Sequence, residues 1–465
     1  MSSCSSHGSS AKRCMADDAG SAIRARLSTF DTAMVVFSLV VGIGIFRTPA
    51  IVARAAGSTA LFYGAWIAGG LISLIGAFTF AEIGSRYPRA GGYYRVVADC
   101  YHPTFAFMLN WAQTLMQGAS AAGVAFIGAD YLMPVVLPPS WRTAHASLTL
   151  ACGTMLVLLA MNYRGVRMGA RTQNLLSLLK IFMMLGLALL ALLLAPRFAG
   201  PDAAPSRPSL LALGSALIPC FYAYGGYQLT MNLGADVRDA RRRLPIGIAA
   251  GVLTVLALYL LLNVAYQRVL GTAGIAASTL PAAAISRATF GPFGEAVISV
   301  AVFFSAAGFV NAIIMQMPRS FYAMAQDGVL PRSFLAVNPQ TQVQETGLIF
   351  FGVTMLVPAF LLGSFDKLLS YVIFTDTLTI AVVASTLFVL RRRHIGDGGF
   401  MLRGYPVLPL LYIACLIGVA ARDLALEPVV TLSGIVVLLT GWPLFRLGKR
   451  LFRARGAHAP HRGVE

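Results

Sequence analysis

Twelve apolar runs of about twenty residues each constrain this chain more than any other feature. A helix of roughly twenty residues spans the ~30 Å hydrocarbon core of a bilayer. Strands of a membrane β-barrel are about ten residues long and alternate in polarity, so runs of this length exclude that class. Only 12% of the residues are charged and 57% are hydrophobic, whereas soluble domains carry roughly 25% charged residues. We therefore predict an all-α integral membrane protein with about twelve transmembrane helices.

The runs divide the chain into one membrane domain with two polar ends. Residues 1–28 are rich in Ser, Ala and Gly and lack an apolar segment, which indicates a disordered cytoplasmic arm rather than a signal peptide. Residues 29–450 form the membrane domain, and 451–465 a basic cytoplasmic tail. An apolar stretch within 271–294 is too short to span and predicts a helix over the outer mouth. The predicted spans are 31–53, 59–83, 104–133, 147–163, 172–195, 210–233, 246–268, 293–323, 346–363, 367–390, 406–422 and 428–447.

The distribution of positive charge sets the expected orientation. With both termini inside, 26 of the 36 Lys and Arg residues fall on the cytoplasmic side, 8 on the outer side, and 2 (Arg47 and Lys180) within spans. This bias is the one that the positive-inside rule predicts. The net charge of +18 therefore reflects topology, and no nucleic-acid partner is expected. We predict a multi-pass protein of the cell inner (plasma) membrane, with the lipid bilayer as its surroundings.

Cysteine and histidine placement argues against metal, disulfide and enzyme chemistry. The six cysteines form no paired motif, and no histidine pairs with an acid at metal-ligand spacing. We therefore expect no metal, no cofactor and no catalytic residues, and we disfavour an integral membrane enzyme. The residues concerned are Cys4, Cys14, Cys100, Cys152, Cys220 and Cys415, and His7, His102, His145, His394, His458 and His461.

Two spans carry a glycine pair near mid-membrane with a proline close by. The first span contains Gly42-Ile43-Gly44 before Pro49, and the sixth contains Gly225-Gly226 after Pro219. Gly weakens a helix by about 1 kcal/mol and Pro by about 3 kcal/mol. A single glycine pair more often serves close helix packing. Two pairs five spans apart, in matching positions, favour unwinding and point to an inverted-repeat transporter.

An unwound turn at mid-membrane creates a binding site from main-chain atoms. The half-helix that begins after a break presents bare N–H groups, which suit a carboxylate. The half-helix that ends at a break presents bare carbonyls, which suit an ammonium group. Because unsatisfied backbone groups are costly in hydrocarbon, the break must face protein or a water-filled cavity. Two crossed breaks can thus hold a zwitterionic amino acid with few charged side chains.

At these residues the chain resembles the amino acid–polyamine–organocation superfamily, and most closely its L-type amino-acid transporters and their bacterial relatives. The similarity covers roughly residues 28–450. It implies a transporter with a five-plus-five inverted repeat, broken helices one and six, two further helices, and alternating access around a central site. Four blocks carry the resemblance: Gly42–Phe46; Ala81–Tyr93; Tyr222–Tyr227 with Leu244-Pro245; and Gly308–Asn311 with Arg319 and Met324–Pro331.

The resemblance also implies which residues bind the substrate. The substrate carboxylate would meet N–H groups of Ile43, Gly44 and Ile45, and the amine would meet carbonyls near Val40 and at Tyr222 and Ala223. Tyr222 would flank the side-chain pocket and act as a gate, with Gly225 leaving it room. The candidate substrate-binding residues are Val40, Gly42, Ile43, Gly44, Ile45, Tyr222, Ala223, Tyr224 and Gly225.

Two features depart from the family's pattern. Two acidic residues usual after helix six appear here as Ala235 and Asp236, so any salt bridge there is expected to be reduced or absent. The loop near Pro138-Pro139-Ser140 lacks the cysteine with which animal L-type transporters join a glycoprotein. We therefore expect no disulfide-linked heavy-chain partner.

Lys180 lies within the fifth span, where a buried lysine is costly and usually functional. In proton-coupled relatives a lysine of helix five takes the place of a sodium ion and bridges helices one and eight. Lys180 fits that position and is the candidate for proton coupling, with Ser305 as a polar neighbour. Two other interpretations remain open, a permanent structural cation and a side chain that snorkels to the interface.

The other polar residues within spans allow more than one interpretation. Arg47 either lines the outer vestibule or pairs with an acid. Glu82 is expected to form an intracellular ion pair with a basic loop residue rather than bind substrate. Polar side chains on one face of the third span, namely Asn110, Gln113 and Gln117, could line the pocket or join packed helices.

The predicted function is secondary active transport of amino acids, proton-linked and sodium-independent. No acidic residue is evident near the two breaks in the sequence, which favours neutral L-amino acids. The alternatives are an amino-acid exchanger, a polyamine or organic amine permease, and a non-transporting nutrient sensor. The expected partners are therefore a small amino acid or amine and a proton.

Overall fold

The computed structural model describes residues 23–198, 210–362, 373–426 and 428–453. Within these ranges the chain is helical and contains no β-strand, only the isolated bridges Leu27–Val237 and Ala90–Leu233. Most of the predicted arm (1–22) and most of the predicted tail (454–465) lie outside the described residues.

The described residues form fifteen α-helices. They are α1 Thr29–Val40, α2 Gly44–Ala56, α3 Thr59–Arg86, α4 Gly92–Cys100, α5 Pro103–Val136, α6 Ala144–Tyr163, α7 Val166–Leu194, α8 Leu210–Ala223, α9 Ala240–Ala277, α10 Pro281–Phe290, α11 Gly294–Gln326, α12 Glu345–Leu362, α13 Ile373–Arg392, α14 Val407–Leu426 and α15 Pro428–Arg453.

Each predicted span overlaps one of these helices, or α1 and α2 together, so the all-helical membrane fold is confirmed. The sixth span continues beyond α8 as the 3-10 helix Tyr227–Asn232, and residues 367–372 of the tenth span lie outside the described residues. By length and hydropathy, eight described helical segments could each cross a bilayer, and α1 with α2 forms a ninth span bent by 47°. The stretch within 271–294 contains α10, the additional short helix that its apolar pattern predicts.

The helix contacts made by the first broken span are matched by those of the sixth, as an inverted repeat requires. Helix α1 packs on α9, and α8, the first part of the sixth span, packs on α3. The pairs α3–α9 and α5–α11 pack directly against each other. If spans one to three correspond to spans six to eight, the contact of span one with span seven is equivalent to the contact of span six with span two. The two broken spans therefore occupy equivalent places, and α2 lies against α8.

A capping box fixes where the first span begins. The Ser28 hydroxyl accepts a hydrogen bond from the Asp31 N–H at 3.2 Å, and the Asp31 carboxylate accepts one from the Ser28 N–H at 2.8 Å. The second Asp31 oxygen accepts a bond from Asn174 Nδ2 of α7 at 2.6 Å. The start of α1 is thereby tied to the helix that carries Lys180.

Residues 23–28, which the sequence places in the disordered arm, are packed in the structure. Leu27 is buried, and the N–H groups of Arg26 and Leu27 both donate to the Asp236 carbonyl at 2.8 Å. The Arg24 N–H donates to Gln342 Oε1 at 2.6 Å. The apolar side chains of Ile23 and Leu27 explain this, because each buries its surface against the bundle.

Helix α7 shows how the bundle separates lipid from interior. Leu175, Phe182 and Leu193 are exposed on one side of it, where hydrocarbon is the expected surroundings. Polar side chains, including Ser177 and Lys180, are buried on the other. Polar groups in a bilayer face the protein interior, so this pattern directs Lys180 toward the centre of the bundle.

Candidate functional site

The first span is broken between Val40 and Gly44. The carbonyls freed there are satisfied by side chains: Lys180 Nζ donates to the Val41 carbonyl at 2.6 Å, and the Ser305 hydroxyl donates to that of Gly42 at 2.7 Å. The first N–H groups of a helix have no partner inside it. In the described part of the chain, no acceptor meets the N–H groups of Ile43, Gly44 and Ile45. The start of α2 can therefore receive an anionic group.

The sixth span is broken directly after Ala223. Residues 224–226 are not helical, and the chain continues in a 3-10 helix, Tyr227–Asn232. The Tyr259 hydroxyl of α9 lies 3.2 Å from the Ala223 carbonyl and 3.4 Å from the Val40 carbonyl. One hydroxyl thus reaches a carbonyl from each break. The predicted breaks are both present, and they lie side by side.

The predicted binding residues at the two breaks differ in their exposure. Ile43, Gly44, Tyr222 and Gly225 are partly exposed, whereas the rest of the predicted binding residues are buried, namely Val40, Gly42, Ile45, Ala223 and Tyr224. The Tyr224 ring packs against the rings of Trp66 and Tyr259, with centroids 5.7 and 5.1 Å away. The structure therefore brings the predicted residues together but places the Tyr224 side chain in the packing behind the break.

Gly226 is the position where the break tolerates no side chain. Its φ is +117°, a conformation that favours glycine, and a Cβ would lie 2.3 Å from the Leu39 carbonyl oxygen. Gly226→Ala is expected to lower thermal stability, because it adds backbone strain of about 1–3 kcal/mol and pushes the two breaks apart. The matched control is Gly225→Ala, whose Cβ would have no neighbour closer than 3.5 Å. Equal melting temperatures for the two purified variants would contradict the proposed contact.

Lys180 joins three helices at the first break. It is 2% exposed and bonds α1 through Val41. On α11, a Cβ added to Gly308 would lie 3.0 Å from Lys180 Nζ, so only glycine gives the ammonium room. Among the described residues no carboxylate pairs with this lysine. Its burial excludes snorkelling as the arrangement in this structure, and the coupling and structural roles both stay predictions.

A continuous chain of buried side-chain hydrogen bonds begins next to Lys180. Ser38 bonds Ser177 at 2.8 Å, and Ser177 accepts from Gln173 at 3.0 Å. Gln173 accepts from Asn311 at 2.8 Å, and Asn311 accepts from Asn162 at 2.6 Å. These bonds join α1, α7, α11 and α6. The bonds therefore fix the positions of these four helices relative to one another around Lys180.

Two acidic residues lie beside Tyr222, at the far side of the sixth-span break. The Tyr222 hydroxyl donates to Asp423 Oδ2 of α14 at 2.8 Å and lies 3.4 Å from Thr377 Oγ1 of α13. One residue before Thr377, Asp376 accepts a bond from Gln113 Nε2 at 3.1 Å. The sequence-based argument that no acid lies near the breaks is therefore wrong. In the sequence, Asp376 lies within the predicted span 367–390 and Asp423 directly follows the span 406–422. Nothing in the sequence indicates that these two spans pack beside Tyr222.

Comparison with known proteins decides the family. A family model described as "Amino acid permease" matches residues 27–439. The chain is a member of the amino acid permease family. It is 26% identical over 416 residues to the serine/threonine exchanger SteT of Bacillus subtilis (strain 168), covering 88% of this chain and 93% of that one.

Two human proteins show similar likeness over most of their length. The permease is 26% identical over 442 residues to Asc-type amino acid transporter 1, which covers 92% of this chain and 83% of the relative. It is 25% identical over 442 residues to large neutral amino acids transporter small subunit 2, and the match covers 92% of this chain and 81% of the relative. The recognition made from four sequence blocks is confirmed by these matches.

Buried ion pairs close one end of the permease, which we call the arginine-rich end; it contains Arg86, Arg95, Arg319 and Arg391. Glu82 is fully buried and accepts bonds from Arg86 at 2.7 Å and from Nη2 and Nε of Arg391 at 2.7 and 2.8 Å. The predicted ion pair of Glu82 is present, but its basic partners lie at the ends of α3 and α13 rather than in a loop. Arg86 also bonds Asp397 at 2.5 Å and holds the pKa of that carboxyl below its usual value, with a smaller effect from His394.

The expectation that a salt bridge after the sixth span would be reduced or absent is wrong. Asp236 is fully buried and accepts two bonds from Arg319 of α11, at 3.0 and 2.9 Å. One acid is sufficient because a guanidinium binds a carboxylate through two parallel bonds. The permease thus keeps a full pair with Ala235 in the other position.

The remaining polar candidates have different outcomes. Arg47 is exposed, and no acid pairs with it in the described ranges. Gln113 reaches Asp376, whereas the Asn110 amide lies 3.5 Å from Met324 Sδ and joins α5 to α11. Gln117 is buried. Over the described residues, no three His, Cys, Asp or Glu side chains are grouped closely enough to hold a metal ion.

Proposed function

We propose that this permease is a secondary transporter that binds the common zwitterionic part of an α-amino acid at its two breaks. The observation that carries the proposal is that the free N–H groups of Ile43, Gly44 and Ile45 lie at the start of a helix that packs on α8, while one hydroxyl, that of Tyr259, reaches a carbonyl from each break. The carboxylate would meet the N–H groups. The ammonium would meet the carbonyls and displace the weak contacts of the Tyr259 hydroxyl.

We propose that the two ends of the helix bundle open in turn, so that the two breaks face one side of the membrane at a time. In this structure the arginine-rich end is held by the buried pairs Glu82–Arg391 and Asp236–Arg319. Transport requires those pairs to separate while the opposite end closes. By the positive-inside rule we assign the arginine-rich end to the cytoplasm, with both termini there, and place the protein in the plasma membrane.

We further propose that transport is proton-linked and sodium-independent. A sodium ion near the first break would need the freed carbonyls and the Ser305 hydroxyl. Here the Lys180 ammonium takes the Val41 carbonyl, and Ser305 takes that of Gly42. While Lys180 is protonated, its ammonium occupies the place that a sodium ion would need. Loss and gain of the Lys180 proton would then accompany the transport cycle.

The side chain of the substrate is proposed from the relatives. One is named for serine and threonine and another for large neutral amino acids, which supports uptake of neutral L-amino acids. Exchange is a second candidate mode because the bacterial relative is named an exchanger. We propose action without a disulfide-linked partner, since the Pro138-Pro139-Ser140 loop has no cysteine.

The test is uptake of labelled serine and leucine by proteoliposomes that contain only the purified permease. An imposed pH gradient is expected to drive accumulation, and replacement of sodium by choline is expected to change nothing. Preloading with unlabelled substrate separates exchange from net uptake. Dependence on a sodium gradient would overturn the proton-linked proposal. Binding without any flux would instead indicate a nutrient sensor.

A further inference from the structure

Asp376 is a carboxylate in the helix bundle whose charge nothing described balances. It lies near the start of α13, is partly exposed, and accepts one bond from Gln113 Nε2 of α5. No Lys, Arg or His pairs with it among residues 23–198, 210–362, 373–426 and 428–453. Asp423 differs, because Arg422 lies 3.7 Å from it and Tyr222 donates to it. A carboxylate at membrane depth normally has a partner, so Asp376 is the acid that still needs one.

Polar oxygens around Asp376 also lack partners. The Gln113 amide that bonds Asp376 has its Oε1 buried and without a hydrogen bond, and the side chain is 2% exposed. The Tyr93 hydroxyl, also buried and unpartnered, is close enough to interact with the charge of Asp376. Buried polar groups in proteins are almost always hydrogen-bonded, so two unpartnered oxygens beside one acid indicate an absent donor.

The chemistry of that donor follows from the number of acceptors. An alkylammonium has one positive charge, three N–H donors and no acceptor. It could serve the Asp376 carboxylate together with two neighbouring oxygens. A single proton on Asp376 would neutralise the charge but could satisfy only one acceptor. A metal ion is disfavoured because, among the described residues of this group, Asp376 is the only carboxylate without a basic neighbour.

We propose that Asp376, Gln113 and Tyr93 form a subsite for an ammonium group on the side chain of the transported amino acid. The site lies beside Tyr222, which was predicted to flank the side-chain pocket, so a side chain that extends past Tyr222 would bring its end group to Asp376. The inference rests on the proposed function and deepens it. Neutral amino acids are accepted through the main-chain contacts alone, and a side-chain ammonium adds affinity.

The first test compares two ligands on the wild-type permease. L-Lysine and L-norleucine have side chains of similar length, and only lysine carries the terminal ammonium. In competition against labelled leucine in proteoliposomes, lysine is expected to bind about tenfold or more tightly than norleucine, since charge-assisted hydrogen bonds are the strong ones. Norleucine binding as tightly as lysine would overturn the subsite and leave the proposed function intact. Failure of both ligands and of leucine would overturn the proposed function itself.

The second test removes the charge and keeps the shape. Asp376→Asn is expected to bring lysine to the level of norleucine, so that the roughly tenfold ratio between their affinities for the same variant falls to about one. The matched control is Asp130→Asn, which neutralises an acid near the end of α5 that is bonded to Ser147 of α6. If Asp376→Asn instead abolishes the response of leucine uptake to a pH gradient, Asp376 holds a proton and the ammonium subsite is wrong. If the variant is unstable, the wild-type comparison alone decides.

Discussion

Replacing Lys180 with alanine is expected to abolish the response of amino acid uptake to an imposed pH gradient. The change removes the buried positive charge at the first break and the 2.6 Å hydrogen bond to the Val41 carbonyl. It also leaves a space beside Gly308 that the lysine stem now fills. With the gradient imposed, the variant should take up substrate only as fast as it does when the pH is equal inside and outside the proteoliposomes. Relative to gradient-driven uptake by the wild type, this is a loss of about tenfold or more. The measurement is the initial rate with and without the gradient.

Two controls separate coupling from a structural role. Lys180→Arg keeps a positive charge that does not deprotonate in proteins, so it should preserve substrate binding yet lose the gradient response. Ser305→Ala removes the bond to the Gly42 carbonyl but no titratable group, so it should weaken binding and keep the response. A full gradient response in Lys180→Ala would show that the lysine is a structural cation or has no role in transport.

The two breaks could be predicted from sequence because their causes are local. Gly42 and Gly44 in the first span and Gly225 and Gly226 in the sixth weaken the helix where they stand, whatever surrounds them. Their equivalent positions in two halves then followed from counting spans. Lys180 was recognisable for the same reason, since a charge within an apolar run is costly in any fold.

The features missed depend on contacts between distant parts of the chain. Asp236 and Arg319 are 83 residues apart, and their pairing depends on how the 3-10 turns after the sixth span cross α11. Thr377, which follows Asp376, and Asp423 reach Tyr222 only because α13 and α14 pack beside it. No periodicity along one helix encodes such an approach. Ile23 and Leu27 were placed in the arm because residues 1–28 are rich in Ser, Ala and Gly, although both apolar side chains are buried.

Asp236→Asn is expected to cause the largest loss of stability among single changes at the arginine-rich end. Both members of the Asp236–Arg319 pair are buried, with side chains 0% and 6% exposed. Removing one partner of a buried pair leaves an uncompensated charge and costs about 3–5 kcal/mol. The Asp236 carbonyl also anchors Arg26 and Leu27, so the N-terminal segment should loosen as well. Thermal unfolding of the purified protein in detergent measures the change.

An exposed ion pair supplies the matched control. Arg287 and Glu295 lie 3.2 Å apart with side chains 69% and 66% exposed, and Glu295→Gln should cost at most about 1 kcal/mol. Replacing both members of the buried pair, Asp236→Leu with Arg319→Met, should recover much of the stability, because no charge is left unpaired. If Asp236→Asn costs no more than Glu295→Gln, the buried pair does not hold this end closed. The closure of the arginine-rich end would then depend on its other ion pairs, among them Glu82 with Arg391.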